Sequence, residues 1–116
     1  MSYKIILLTL PPSTNTIYKM TRTGRVYLNK SHLAFKDYVN KALSKEDIKI
    51  SDKKLCLEIS FCGCRTNADI DNMLKSLFDS MNGIVYEDDK QIYKIIVTKN
   101  STGSKHTVIV VSDYVC

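Results

Sequence analysis

The stretch Ile70–Met81 limits the fold more than any other part of the 116 residues. Ile70, Met73, Leu74, Leu77, Phe78 and Met81 recur at i, i+3, i+4, i+7, i+8 and i+11, the repeat of a helix with one apolar stripe. Gly83 suits the position just past the helix end, where a left-handed backbone stops the winding. A helix with a single apolar stripe must lay it against a second layer. The flanking segments supply that layer. KLCLEISFCG alternates, with Leu55, Leu57, Ile59 and Phe61 on one side. QIYKIIVTKN and HTVIVVS, separated by the turn STGS, read as two further strands.

The N-terminal half adds a first strand in KIILLTL, which Pro11 and Pro12 end. TIYKM and RVYLN flank TRTG as a short hairpin. Ser31 is a suitable N-cap for a helix to about Ser44, with Phe35, Tyr38, Val39, Ala42 and Leu43 on one face. The expected order is a strand, a small strand pair, a helix, a strand, a helix and two strands. The fold class is α/β (α+β), with a single mixed sheet carrying two main helices, and residues 1–116 form one domain.

A core is feasible at this length, but much surface stays exposed, so self-association is expected. The composition, 44% hydrophobic and 25% charged, excludes disorder. No apolar run approaches the roughly 20 residues that cross a bilayer, and MSYKIILLTLPP has no small-residue cleavage site. The expectation is a cytoplasmic protein with no membrane partner. Cys56, Cys62, Cys64 and Cys116 lack zinc spacing and are expected as free thiols.

The formal charge is +5, from 17 basic and 12 acidic residues. Four acids, Asp69, Asp71, Asp88 and Asp89, fall in two tight clusters, and without them the 17 bases face eight acids, a balance of +9. A basic body with concentrated acidic spots suits a polyanion whose chemistry occurs at the acids. On a helix Asp71, Lys75 and Asp79 share a polar face, and the lysine pairs with both acids. Two residues along a helix turn the side chain by about 200°, so Asp69 converges with Asp71 only from the N-cap. Caps, helix dipole and ion pairs already account for these residues structurally.

The second cluster, YEDDKQ, lies at the lip of the next strand. In an extended backbone Asp88 and Asp89 point to opposite sides, and one of them faces back toward Asp69 and Asp71 across a short connection. Converging carboxylates need a cation, and an all-oxygen set suits Mg2+, with Mn2+ as a substitute. An EF-hand is excluded, because DIDNML has Leu74 at the sixth position and Ser80 at the twelfth. His32 and His106 lie outside both clusters and are expected at the surface. Aspartates holding a metal on a basic surface suit phosphodiester hydrolysis, with Lys75 at the scissile phosphate or the departing oxygen. Arg22, Arg25, Lys30, Lys36 and Lys41 are candidate phosphate contacts. Ser13 and Asn15 in LPPSTN either donate to phosphate or simply carry the loop across the sheet edge.

Arg65, Asp69, Asp71, Asn72, Lys75, Asp79, Gly83, Asp88, Asp89, Gln91, Ile92 and Lys99 together resemble the signature of the RusA family of Holliday junction resolvases. That signature reads as an arginine, D-x-D-N-x-x-K-x-x-x-D, a glycine, an acidic D-D-x-Q-[VI] segment and a later lysine. LPPSTN is similar to the family's opening loop. The resemblance implies a Mg2+-dependent homodimer that nicks four-way DNA junctions symmetrically in recombination and repair. It implies catalytic Asp69, Asp71 and Asp89 with Asp88 in support, an essential Lys75, and DNA contacts at Arg65 and Lys99. Two-fold symmetry lets identical sites address opposed strands. Tyr86 stands where the family often has tryptophan, and CRTNA is less basic than usual before the D-x-D. Two other readings stay open: a non-catalytic nucleic-acid-binding protein, and a metal-dependent nuclease acting on other branched or flap DNA.

Overall fold

The alternation over residues 54–63 becomes the central strand of a four-stranded mixed sheet. The protein is described from a computed structural model covering residues 2–12, 18–20, 26–28, 30–45, 48 and 50–115, with 18–20 and 26–28 as backbone path alone. The elements are β1 (Ser2–Leu7), β2 (Tyr18–Met20), β3 (Val26–Leu28), α1 (Lys30–Ser44), β4 (Leu55–Cys62), α2 (Ile70–Met81), β5 (Ile92–Asn100) and β6 (His106–Asp113). A 3-10 turn over Asp89–Gln91 leads into β5. The sheet order is β1-β6-β4-β5, and β2 and β3 pair separately. This is the mixed sheet and two helices that the hydropathy pattern predicts.

β6 runs antiparallel to both β1 and β4. β5 runs parallel to β4, with Leu57 beside Ile95, Ile59 beside Val97 and Phe61 beside Lys99. Parallel neighbours require a crossover, and α2 is that crossover. It runs back from the C-terminal end of β4 to the N-terminal end of β5. The core lies between the helices and one face of the sheet. Leu55, Leu57, Ile59 and Phe61 of β4, Ile109 and Val111 of β6, and Ile5 and Leu7 of β1 meet Phe35, Val39 and Leu43 of α1 and Met73, Leu77 and Met81 of α2.

Several local details differ from expectation. β1 ends at Leu7, because the Leu8 amide leaves the ladder and donates to the Tyr38 phenol at 2.8 Å. α1 begins at Lys30, so Ser31 lies inside it. α2 keeps its expected bounds and its apolar stripe faces the core, with a polar flank buried beside it. Asn72, Ser76 and Ser80 are buried with Met73, Leu77 and Met81, while Ile70, Leu74 and Phe78 are only half-buried. Cys56, Cys62 and Cys64 are free thiols, as expected, and Cys116 lies outside the described residues. Among the described residues, no helix is long and apolar enough to cross a membrane.

Candidate active site

Asp69 sits where convergence with Asp71 demands. It is the N-cap of α2, with extended backbone at φ −89° and ψ 112°, and one carboxylate oxygen accepts from the Asp71 amide at 2.9 Å. The other accepts from the Asn72 side-chain amide at 3.2 Å. Asn72 is buried, so it aims Asp69 from a fixed position. Asp71 is exposed on the first turn, and Lys75 approaches its carboxylate to 3.3 Å one turn later. That ion pair is solvent-facing and adds little stability. The Asp71 carboxylate and the Lys75 ammonium are thus both at the surface.

The loop that delivers Asp69 is tied down at several points. Gly63 has φ +73°, and a Cβ there would meet the Ser104 carbonyl carbon and oxygen at 2.7 Å, so only glycine allows the two loops to touch. The Cys64 amide donates to the Asn100 carbonyl at 3.3 Å, and the Ala68 amide to the Arg65 carbonyl at 3.0 Å. Lys99 reaches over from β5 and donates to the carbonyls of Thr66 at 2.8 Å and Ala68 at 2.9 Å. Its ammonium therefore holds the residue immediately before Asp69, a role that the expected phosphate contact did not include. Arg65 is exposed at this end. With Lys105, Pro11, Pro12 and Met73 it lines a cleft of about 250 Å³.

Asp88 and Asp89 are organised by a different device. Asp88 caps the 3-10 turn and accepts from the Lys90 amide at 3.0 Å. The Gln91 side-chain oxygen accepts from the amides of Glu87 at 2.8 Å and Asp88 at 3.0 Å. Its nitrogen donates to the carbonyls of Ser51 and Lys53, both at 2.9 Å. Gln91 thus fastens the acidic turn to the segment before β4. The Lys90 amide, then a hydrogen bond from Asp89, hold the Asp88 carboxyl below its ordinary range. Asp89 lies above its ordinary range, raised first by that bond, then by desolvation and by the charge of Asp88. The two side chains meet, in place of the opposed directions expected of an extended backbone, because the turn begins at Asp89.

The convergence of Asp88 or Asp89 with Asp69 and Asp71 is not formed within one chain. The connection from α2 to β5 is short, but it leaves from the far end of the helix. The charge of Asp79 is felt at Asp89, and the charges of Asp89, Asp79 and Asp88 all reach the buried Tyr86 phenol. Asp71 and Asp79 are eight residues apart on α2, about 12 Å along its axis. Among the described residues, no three His, Cys, Asp or Glu side chains of the chain group as a metal site. The donor type nevertheless fits a hard cation: Asp69 and Asp71 present carboxylate oxygen at a helix N-terminus.

His32 corrects a further expectation. It is 2% exposed, not at the surface. One ring nitrogen bonds the Ser76 hydroxyl at 2.9 Å and the other bonds Asp79 at 2.8 Å. Lys36 also approaches Asp79, at 3.6 Å. Asp79 therefore pairs with α1 and not with Lys75. The signal was present: His32 precedes Phe35, Val39 and Leu43 at the helical repeat, so it belongs to the buried stripe. Tyr86 is equally buried and donates to the Phe78 carbonyl at 3.1 Å. Burial, then the charges of Asp89, Asp79 and Asp88, push its phenol above the ordinary tyrosine range. His106 is half-buried in β6 and bonds the Ser104 carbonyl at 2.8 Å. Lys30 is exposed at the start of α1, and Ser13, Asn15, Arg22 and Arg25 lie outside the described residues.

No curated protein matches the chain. A protein-family model described as endodeoxyribonuclease RusA matches residues 9–112, from the end of the first strand segment to the last strand. The match takes in Asp69, Asp71, Lys75, Asp88, Asp89 and Lys99 together with β4, β5 and all of β6 but Asp113, and the chain belongs to the RusA endodeoxyribonuclease family.

Proposed function

We propose that the protein is a Mg2+-dependent endodeoxyribonuclease that resolves four-way DNA junctions by paired symmetric nicks, acting in the cytoplasm during recombination and repair. The observation that carries this reading is the family match over residues 9–112, joined to a buried Asn72 that aims Asp69 beside Asp71. Asp69 and Asp71 would hold the cation from the helix N-terminus; Asp88 and Asp89, remote from them within one chain, are the carboxylates proposed to complete its shell. Bound there, Mg2+ or Mn2+ would supply an activated water and neutralise charge on the phosphate. Lys75, exposed one turn from Asp71, meets the scissile phosphate or the departing oxygen. Lys99 acts as a positioning residue, keeping the Asp69 loop in place through two carbonyls. Arg65 and Lys30, together with Arg22 and Arg25, hold the DNA backbone by charge.

Asp71→Asn is expected to abolish nicking of a synthetic four-way junction in Mg2+ while junction binding persists. Normal cleavage by that variant overturns the assignment. Equal cleavage of linear duplex or flap DNA turns the reading toward a less selective nuclease. One observation favours a non-catalytic alternative: Asp69 and Asp71 already serve as a cap and an ion pair. Thermal unfolding with and without Mg2+ separates the two, because a metal bound to the native state raises Tm by linkage.

A further inference from the structure

The cleft of about 250 Å³ beside the N-cap of α2 is a built feature, because each of its walls is fastened. The Thr107 hydroxyl donates to the Thr9 carbonyl at 2.8 Å, which holds the segment after β1. The Cys64 thiol approaches the Asn100 carbonyl at 3.5 Å. Gly63 lies so close to the turn before β6 that a Cβ there would meet the Lys105 amide nitrogen at 2.8 Å. That approach brings Arg65, two residues on, and Lys105 to one cleft. Its lining joins two chemistries. Leu10, Pro11, Ala68 and Met73 make the floor apolar, and Pro11 and Met73 are buried. Arg65 and Lys105 are exposed at the rim, and among the described residues neither side chain meets a carboxylate, whereas Lys36, Lys41 and Lys75 each do. Among the described residues no acid and no aromatic ring lines the cleft. A cavity of about 360 Å³ at the opposite end of β4 differs in sign, with Asp52 and Asp113 beside Lys53. An anionic ligand is drawn to the first and not to the second.

Resting on the nuclease reading above, we infer that this cleft receives one unstacked base of the DNA, from a nucleotide next to the phosphate that is cut, with Arg65 and Lys105 on the phosphates that flank it. An apolar floor under two cations suits a flat ring joined to an anion, and a bare anion would make no use of the floor. The size agrees: sites for drug-sized ligands run to about 300–1,000 Å³, so this cleft takes one ring system and not a base pair. Its place agrees as well. Ala68 lines the cleft, the next residue is Asp69, and the Asp69 carbonyl accepts from the amide of Met73, another lining residue, at 3.1 Å. A base seated there leaves its own phosphate beside the carboxylates. Taking a base out of continuous duplex costs pairing and stacking energy, and that cost is least where the stack is already broken. A base at a branch point lacks a continuous stack, so the cleft favours branched over linear DNA without reading sequence.

A four-way junction carrying 2-aminopurine tests the occupant. The cut positions are first mapped with the wild type in Mg2+, and the fluorescent base then replaces the nucleotide on each side of the cut in turn. Binding is followed without metal, so that no strand is cut. At one of the two positions fluorescence is expected to rise several-fold on binding, because the freed base meets no quenching ring in the cleft. The same label in linear duplex is expected to stay dark, and an equal rise there refutes the preference for branched DNA. Ala68→Leu fills the cleft; with unchanged circular dichroism it is expected to bind the junction and to lose most of the rise. No rise at either position, or a full rise with folded Ala68→Leu, overturns the inference and leaves the nuclease reading standing. If Ala68→Leu does not fold, the wild type decides. A 5-iodouracil at the same position is expected to photocrosslink to Cys64, Met73 or the segment 9–12, and a crosslink elsewhere, or none, overturns the inference. A wild type that nicks no DNA overturns the nuclease reading and this inference with it.

Discussion

Replacing His32 by leucine tests whether the Ser76–His32–Asp79 constellation is structural or chemical. Ser, His and Asp in hydrogen-bonded order invite a hydrolase reading, but Ser76 is 3% exposed and no substrate reaches its hydroxyl. Leucine has a similar volume and keeps the packing with Phe35 and Val39. The loss is then the two hydrogen bonds. The buried Ser76 hydroxyl left without its ring partner costs about 1–3 kcal/mol, reduced where it turns to the carbonyl one helical turn back. Asp79 is 43% exposed and is resolvated by water, so it adds little. The sum is about 2 kcal/mol, or a fall in Tm of roughly 8–16 °C for a domain near 100 residues. Urea unfolding at constant m is the assay, with Ser76→Ala as the second arm of a double-mutant cycle. The two changes should be strongly non-additive, and junction nicking well below Tm should be unaffected. A loss under about 0.5 kcal/mol shows that the buried bonds contribute nothing. Nicking abolished in a folded His32→Leu protein shows that the histidine takes part in the chemistry.

Other perturbations have equally definite outcomes. Lys99→Met frees the carbonyls of Thr66 and Ala68 and should cost about 1–2 kcal/mol. It should lower the nicking rate more than junction affinity; an unchanged rate with a shallower salt dependence of binding would make Lys99 a phosphate contact instead. Gly63→Ala forces a side chain into the Ser104 carbonyl and out of its favoured backbone region, at about 1–3 kcal/mol in urea unfolding. A Gly63→Ala protein as stable as the parent refutes the close approach of those loops. The Asp88–Asp89 pair gives a pH signature in metal-free protein. The raised Asp89 contributes stability below its unfolded pKa, lost as pH rises through its folded value, whereas the lowered Asp88 contributes above its unfolded pKa and loses that as pH falls through its folded value. Asp89→Asn keeps a hydrogen-bond donor without the charge, so its Tm should exceed the parent's at pH 7 and approach it near pH 4. A difference that grows on acidification contradicts the coupling of Asp88 and Asp89.

The elements were legible because their periods were clean. The 3.6-residue repeat from Ile70 to Met81 gave α2 both ends, and alternation from Leu55 to Phe61 gave β4 its buried face. Asp69 as a cap was legible too, from the angle between residues two apart on a helix. What pattern alone did not convey was direction. A short link between α2 and β5 suggested that everything near it was close, but the link joins the end of the helix remote from Asp69. The burial of the polar flank of α2 was hidden as well, since hydrophobicity ranks Leu74 and Phe78 above Asn72 and Ser76, yet the latter are the more deeply buried beside α1. His32 was misread because a single histidine was weighed by its type and not by its place in the row with Phe35 and Val39.

The grip of Lys99 on the loop before α2 makes the outermost strand a lever. Any force that slides or bends β5 is carried to this loop through the Lys99 ammonium, which grips the carbonyl beside Asp69, and through the Cys64–Asn100 bond. Displacement of that strand and the placement of Asp69 are therefore mechanically coupled.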